Sequence, residues 1–153
     1  MKSVLFVCLA NICRSPLAMG LFLAKVEPEA DLWKVASAGV QAMPGYPPAL
    51  NTILVLRHRG IDLRWHRSTP ISLEMVREFN LILTMDQPQK EALQAVFPDQ
   101  AHKIYLLSEM TGQYLEIADP IGYPLVDFEA TAQEIDAILS DGFLRISDLA
   151  EDR

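Results

Sequence analysis

The sequence predicts an α/β fold: a three-layer sandwich with a central four-stranded parallel sheet, helices on both faces, and an anion-binding loop after the first strand. Three observations lead there. Short unbroken apolar runs, such as Val4-Leu5-Phe6-Val7 and Leu81-Ile82-Leu83, suit strands buried on both faces. These runs alternate with segments of helical periodicity along the chain, the pattern of parallel strands joined by crossover helices. Finally, 153 residues, half of them apolar, match a single domain, 1–153, with one sizeable core and no repeat, linker or low-complexity segment.

Val4–Val7 is the first strand. Pro16–Val26 is the first helix; Pro16 sits in the first turn, where proline is best tolerated, and Glu27-Pro28-Glu29 ends it. Lys34–Ala38 is the second strand, broken by Gly39. Met43–Pro48 is a loop of turn residues. Pro48–Arg59 reads as a helix, with Leu50, Ile53, Leu54 and Leu56 near helical spacing and Gly60 as its stop. Leu63–Pro70 is polar and irregular. Ile71–Glu78 is a short helix with Ser72 as N-cap. Leu81–Met85 is the third strand, Gln87–Phe97 a helix, and Lys103–Leu107 the fourth strand. A long loop, Ser108–Asp127, carries Asp119-Pro120. The last helix is Phe128–Phe143, with an apolar stripe of Ala132, Ile135, Ile138 and Leu139. The acidic tail after Arg145 is expected to fray. Trp33 and Trp65 read as core or edge packing, His58 and His102 as surface residues.

Bulk properties narrow the function. The formal charge of −7 argues against nucleic acid as partner. No apolar run reaches the ~18–20 residues that span a bilayer, so no membrane is expected. The apolar stretch at the N-terminus is too short for a secretory signal and is needed as a strand. The two cysteines, Cys8 and Cys13, fall in one loop, which is not a disulfide framework. A cytoplasmic enzyme with a working thiol fits better. Three scattered histidines offer no ligand-spaced cluster, so neither metal nor cofactor is expected.

The chemistry concentrates in Cys8-Leu9-Ala10-Asn11-Ile12-Cys13-Arg14-Ser15, followed by Pro16. A loop between a strand and a helix turns backbone N–H groups toward one spot, and the helix N-terminus adds partial positive charge. Together they suit a phosphate. A thiol attacks only as thiolate, a form that a helix N-terminus and a nearby guanidinium both favour. Arg14 can also grip two phosphoryl oxygens with its planar fork, and Ser15 brings a hydroxyl within reach of the sulfur. Taken alone, Cys8 and Arg14 would be a buried structural cysteine beside a surface arginine. The strand before, the helix after, and Ser15-Pro16 in place make the reactive reading the stronger one.

Val7-Cys8-Leu9-Ala10-Asn11-Ile12-Cys13-Arg14-Ser15-Pro16-Leu17-Ala18 resembles the phosphate-binding loop of the low-molecular-weight protein tyrosine phosphatases. The likeness extends from Met1 to about Leu144. Where Ala10 and Met19 stand the family usually has Gly and Glu. Ala10 raises the question of backbone strain, since only glycine visits positive φ freely; Met19 costs a supporting polar contact. The resemblance implies that Cys8 attacks phosphorus and that Arg14 and the N–H groups of Leu9 to Arg14 bind the phosphate. It implies that Asp119 is the general acid and base. By spacing alone, Asp119-Pro120 would simply start a turn; the family carries its acid in an Asp-Pro pair at this end of the chain. Many relatives have an aromatic residue where Ile121 stands, and Tyr123 is a candidate substitute. Ser37-Ala38-Gly39 and His66-Arg67-Ser68 also match family segments, so the resemblance implies that Ser37, His66 and Asn11 hold the loop in shape. It implies too that Cys13 traps the oxidised enzyme as a disulfide with Cys8. Asp86 is assigned no chemistry.

The expected reaction is hydrolysis of protein phosphotyrosine through a thiophosphoryl intermediate on Cys8, by a monomer or weak dimer whose site also takes inorganic phosphate or another oxyanion. Ile12 offers a dry wall to a phenol ring, and Tyr46 a further aromatic one. A protein-arginine phosphatase on the same scaffold is the nearest alternative, because Ile121-Gly122 resembles that branch. An arsenate reductase relaying electrons through three cysteines of one chain is excluded by the two present. A non-catalytic phosphate-binding module fits poorly with Cys8, Arg14 and Asp119 all in place.

Overall fold

Cys8 ends a strand buried along nearly its whole length. In the computed structural model, which describes residues 1–152, β1 (Lys2–Cys8) lies inside a four-stranded parallel sheet. β2 (Trp33–Gly39) flanks it on one side, β3 (Leu81–Thr84) and then β4 (Ile104–Leu106) on the other, in the order β2-β1-β3-β4. The unbroken apolar run has its cause in the two faces. Val4, Phe6 and Cys8 point into one core, and Leu5 and Val7 into a second. Neither side of a central parallel strand meets water.

The first core lies under α1 (Arg14–Val26), α2 (Leu50–Arg57), α5 (Leu125–Asp141) and α6 (Phe143–Leu149). The second lies under α3 (Leu73–Glu78) and α4 (Gln87–Val96), through Val76 and Leu93. Helices on both faces complete the three layers. Phe22, Trp33 and Phe143 pack ring on ring, with centroids 5.0 Å apart for Phe22–Trp33 and 5.9 Å for Phe22–Phe143. Among the described residues, no helix is long and apolar enough to cross a membrane.

Local chemistry sets the ends of the elements. Ser72 caps α3 through the Met75 N–H, as its residue type predicts. Gly60, at φ 76, stops α2: its N–H bonds the Arg57 carbonyl and the next N–H, of Ile61, bonds that of Leu56. This is a Schellman stop with glycine at the left-handed position. The helices mostly shift by about a turn or less at their ends, α1 starting at Arg14 and α2 spanning Leu50–Arg57; the C-terminal part differs most from the sequence expectation. The last long helix starts at Leu125, not Phe128, and Gly142 divides it from α6. The chain does not fray directly after Arg145: α6 continues to Leu149, and Ile146 and Ala150 are buried. Trp65 is 61% exposed, so the packing role expected for it is wrong. Its ring stands edge-on to His66 and its N–H bonds the Asp62 carbonyl.

The register brings the site together. Cys8 pairs with Gly39, Val7 with Thr84, and Thr84 with Leu106. The C-terminal ends of all four strands therefore share one edge, where open parallel sheets receive ligands.

Candidate active site

The segment Leu9–Cys13 is held by its carbonyls. The Cys8 carbonyl accepts from Val40 N–H, that of Leu9 from Gln41 and that of Ile12 from Ala49. The Asn11 carbonyl accepts from His66 Nε2 at 2.9 Å. In contrast, no backbone N–H from Leu9 to Cys13 finds an acceptor among the described residues. Carbonyls are engaged and amides are free. Such a strip is polarised for an anion, and α1 begins directly behind it.

Asn11 gives the strip its shape. At φ 60 it is the one non-glycine residue in the left-handed region among those described, a conformation asparagine tolerates better than most. The strain foreseen at Ala10 therefore falls at Asn11. The Asn11 amide is fully used: Nδ2 donates to Ser15 Oγ at 2.7 Å and Ser37 Oγ at 3.0 Å, and Oδ1 accepts the Thr69 N–H at 2.9 Å. Gly39 lets β2 approach. A Cβ there would stand 2.6 Å from the Leu9 carbonyl oxygen, nearer than real Cβ atoms come. Met19 is buried in the core, so the apolar residue suits its place.

Cys8 and Ser15 lie together, Sγ to Oγ, at 2.9 Å. Ser15 Oγ already accepts from Asn11. Its proton is thus free for the sulfur, the other acceptor, the Ala38 carbonyl, being 3.4 Å away. Both cysteines are buried and free. Burial pushes the Cys13 thiol up to about 12; Asp119 and Cys8 add to the shift, and Thr52 and Arg14 oppose it.

Arg14 is buried and tethered. Its Nη1 donates to the Ile117 carbonyl at 2.8 Å and to Asp86 Oδ2 at 3.1 Å, and Nη2 lies 3.7 Å from Asp119 Oδ2. Asp119 is half-exposed, with Oδ1 accepting the Ile121 N–H. Asp86, to which the sequence reading gives no chemistry, is a correction: it fixes the guanidinium. The signal was present in Asp86-Gln87-Pro88-Gln89, an N-cap followed by proline. Asp86 caps α4 through the Gln89 N–H, which aims its second oxygen at Arg14.

His66 is buried against the loop. Because it faces a carbonyl, Nε2 carries the proton. Burial holds His66 below the ordinary imidazole range, Arg67 acts in the same sense, and the bond to Asn11 opposes them. Ile12 and Tyr46 line one cavity of about 290 Å³ with Ala10, Gln41, Met43, Pro47 and Ser68. Tyr123 is exposed and is not part of that lining.

Residues 3–152 match the model of the low molecular weight phosphotyrosine protein phosphatase family. The probable low molecular weight protein-tyrosine-phosphatase EpsP of Ralstonia nicotianae is 36% identical over 88% of each chain. The protein-arginine-phosphatase of Bacillus subtilis is 31% identical, over 89% of this chain and 91% of its own. The crystal structure of a low molecular weight protein tyrosine phosphatase from T. tengcongensis superposes with a TM-score of 0.90 at 34% identity, over 95% of this chain and 99% of the other.

Proposed function

The chain belongs to the low molecular weight phosphotyrosine protein phosphatase family and is a protein phosphatase; from that premise we propose that it hydrolyses phosphotyrosine on proteins, with Cys8 as nucleophile. The single observation that carries the chemistry is the strip of unbonded N–H groups from Leu9 to Cys13. The sulfur of Cys8, with the Ser15 hydroxyl 2.9 Å away, attacks phosphorus and forms a thiophosphoryl bond as the phenolate leaves. Asp119 gives the leaving oxygen its proton. The resulting carboxylate then takes a proton from the water that breaks the S–P bond, returning Cys8 and releasing phosphate. Arg14 and the loop N–H groups hold the equatorial oxygens, where the transition state carries its charge. Asn11, Ser37 and His66 keep the loop in the shape this needs.

The choice of phosphotyrosine rests on Ile12 beside Met43, Tyr46 and Pro47 in the cavity. This wall suits the face of a phenol ring. A guanidinium there leaves donors unpaired, at a cost of about 1–3 kcal/mol. Phosphoarginine is the second reading, favoured by Ile121-Gly122 after Asp119-Pro120 and by the likeness to an arginine phosphatase. Turnover of matched phosphotyrosine, phosphoserine and phosphoarginine peptides tests the choice. The expectation is highest kcat/KM for phosphotyrosine, a shift toward phosphoarginine in Ile12→Thr, and no turnover in Cys8→Ser. A wild-type preference for phosphoarginine overturns it.

Cys13 has a protective role in this reading. Peroxide converts the Cys8 thiolate to a sulfenic acid and releases hydroxide; Cys13 sulfur then attacks Cys8 sulfur, forming the disulfide and expelling water. Because burial raises the Cys13 thiol to about 12, only a small thiolate fraction exists near neutral pH and it grows with pH, so closure should quicken as pH rises. Mass spectrometry after peroxide should find a Cys8–Cys13 bond reversed by dithiothreitol. Sulfinic acid on Cys8 with no such bond would remove the role.

A further inference from the structure

Residues 57–67, Arg-His-Arg-Gly-Ile-Asp-Leu-Arg-Trp-His-Arg, carry four arginines and one carboxylate, which is +3 in a chain of −7 and leaves −10 elsewhere. The strip runs from the end of α2 to the edge of the cleft. Arg67 adjoins Ser68, which lines the cleft with Tyr46, and His66 between Trp65 and Arg67 holds the Asn11 carbonyl. Its cations differ in how free they are. Arg59 is committed to Glu129, with His58 close to the same carboxylate. The Arg57 guanidinium is exposed, feels Asp62, and makes no hydrogen bond among the described residues. Arg67 spends Nη1 on the carbonyls of Arg64 and His66, which leaves its other nitrogens to solvent. Arg64 holds Asp62 in a fork, Nε to Oδ1 at 3.0 Å and Nη2 to Oδ2 at 2.9 Å.

That fork shows what the strip recognises. Asp62 and Arg64 are both largely exposed, at 59% and 64%, and exposed ion pairs stabilise little. Asp62 Oδ1 also accepts the Arg64 N–H at 3.0 Å, so a carboxylate from another molecule competes for the Arg64 guanidinium while that backbone bond stays in place. A recess of about 200 Å³ opens between Arg57 and Arg64, floored by Ile53 and Ile61. The exposed Trp65 ring borders the next recess, whose far side carries Glu27. A charge run is ordinarily a solvated face; this one starts beside the cleft at Arg67 and runs back to recesses shared with Leu23, Ala24 and Glu27 at the other end of α1, on a protein otherwise strongly acidic. A phosphotyrosine in the cleft sends its flanking residues outward at about 3.3 Å each, so a near flanking residue would meet Arg67 and residues farther along the peptide Arg64 and Arg57.

Resting on the phosphotyrosine reading, we propose that Arg57, Arg64 and Arg67 form a docking strip for acidic side chains flanking the phosphotyrosine of the substrate protein, with Asp62 as an internal competitor for Arg64. Charge complementarity of this kind steers encounter and sets partner choice more than the chemical step.

The test compares peptides that share one phosphotyrosine but carry Glu, Ser or Lys at the flanking positions, with p-nitrophenyl phosphate as the substrate lacking flanks. Wild type should favour the Glu-flanked peptide over the Lys-flanked one by about tenfold or more in kcat/KM at low salt. The difference should lie in KM and shrink in 0.5 M salt as the charges are screened. Arg57→Glu with Arg64→Glu should remove the preference and leave p-nitrophenyl phosphate turnover unchanged. Asp62→Asn should act in the opposite direction, lowering KM for the Glu-flanked peptide alone. Equal kcat/KM for the three peptides overturns the strip, as does a preference that survives the double charge reversal. Charge-dependent sedimentation with phosphatidylglycerol vesicles without peptide discrimination overturns it in favour of a lipid surface. Wild type inert toward p-nitrophenyl phosphate and every phosphotyrosine peptide would instead be a failure of the phosphatase reading itself.

Discussion

Arg14 is held by oxygens of three residues before any substrate arrives: the Ile117 carbonyl, Asp86 and Asp119. The first two are bound to Nη1, and Asp119 stands farther off, at 3.7 Å. Binding phosphate therefore displaces Asp119 most easily and leaves Asp86 as the anchor. Asp86→Ala should lower kcat/KM and weaken inhibition by phosphate. It should also cost about 1 kcal/mol of stability through the lost cap. Asp86→Ser keeps a capping oxygen but removes the ion pair, so it should restore stability without restoring phosphate affinity. If Asp86→Ser binds phosphate as wild type does, Asp86 serves α4 alone. Asp119→Ala should act differently. It should cost about 10²–10⁴-fold for phenyl phosphates with poor leaving groups, the range of general acid catalysis, and much less for good ones; equal losses for both would deny Asp119 the role. Cys8 and Arg14 were legible because strand, loop and helix framed them. Asp86 was legible only as a cap, because its second bond runs to a residue 72 positions away and leaves no local pattern.

The phosphate loop is an element without repeating hydrogen bonds, so its stability resides in its neighbours. Asn11 is tied to Ser15, Ser37, His66 and Thr69, so the bonds draw on three separate stretches of chain. That is why sequence pattern alone showed the strands but not this network. A strand buried on both faces reads as an apolar run, whereas Ser37 is a lone hydroxyl within a strand and His66 and Thr69 sit in polar surroundings like any loop. His66 makes the network sensitive to pH. Its folded affinity for protons is lowered, chiefly by burial, so the unfolded chain binds a proton first as pH falls. Its contribution is undiminished above the unfolded value of 6.5 and declines as pH drops through 6.5 toward the lower folded value. His66→Gln keeps a donor for the Asn11 carbonyl and removes the titration. Melting temperatures between pH 7.5 and 5 should fall more steeply in wild type than in His66→Gln. Parallel curves would show that His66 does not titrate differently on folding.

At the scale of the whole molecule, the sheet separates two jobs by its two ends. The site occupies the C-terminal edge of the strands; the N-terminal edge is closed by the chain's own tail. The Ala150 carbonyl accepts from Ser3 N–H at 3.0 Å and Asn80 Nδ2 at 2.8 Å, and Ser3 Oγ accepts from Asn80 N–H. Ile146 is fully buried beneath them and Phe143 stacks toward Phe22. The acidic composition after Arg145 suggested fraying, yet Ile146, Leu149 and Ala150 stand at i, i+3 and i+4, the spacing of one helical face. Periodicity was the better guide because a few apolar side chains on one face suffice when a carbonyl acceptor is shared with two other elements. Ile146→Ala should therefore cost about 2–5 kcal/mol, as large-to-small core substitutions do. With about 2–4 °C per kcal/mol in a chain of this size, the melting temperature should fall visibly. Because the change lies at the edge opposite the phosphate loop, kcat/KM for p-nitrophenyl phosphate at 20 °C should stay within about twofold of wild type, given the additivity of distant sites. Thermal melts and initial rates on the same preparation check both halves. A large loss of kcat/KM in molecules that remain folded at 20 °C would mean that the tail reaches the site through β1, and the two ends would not be independent.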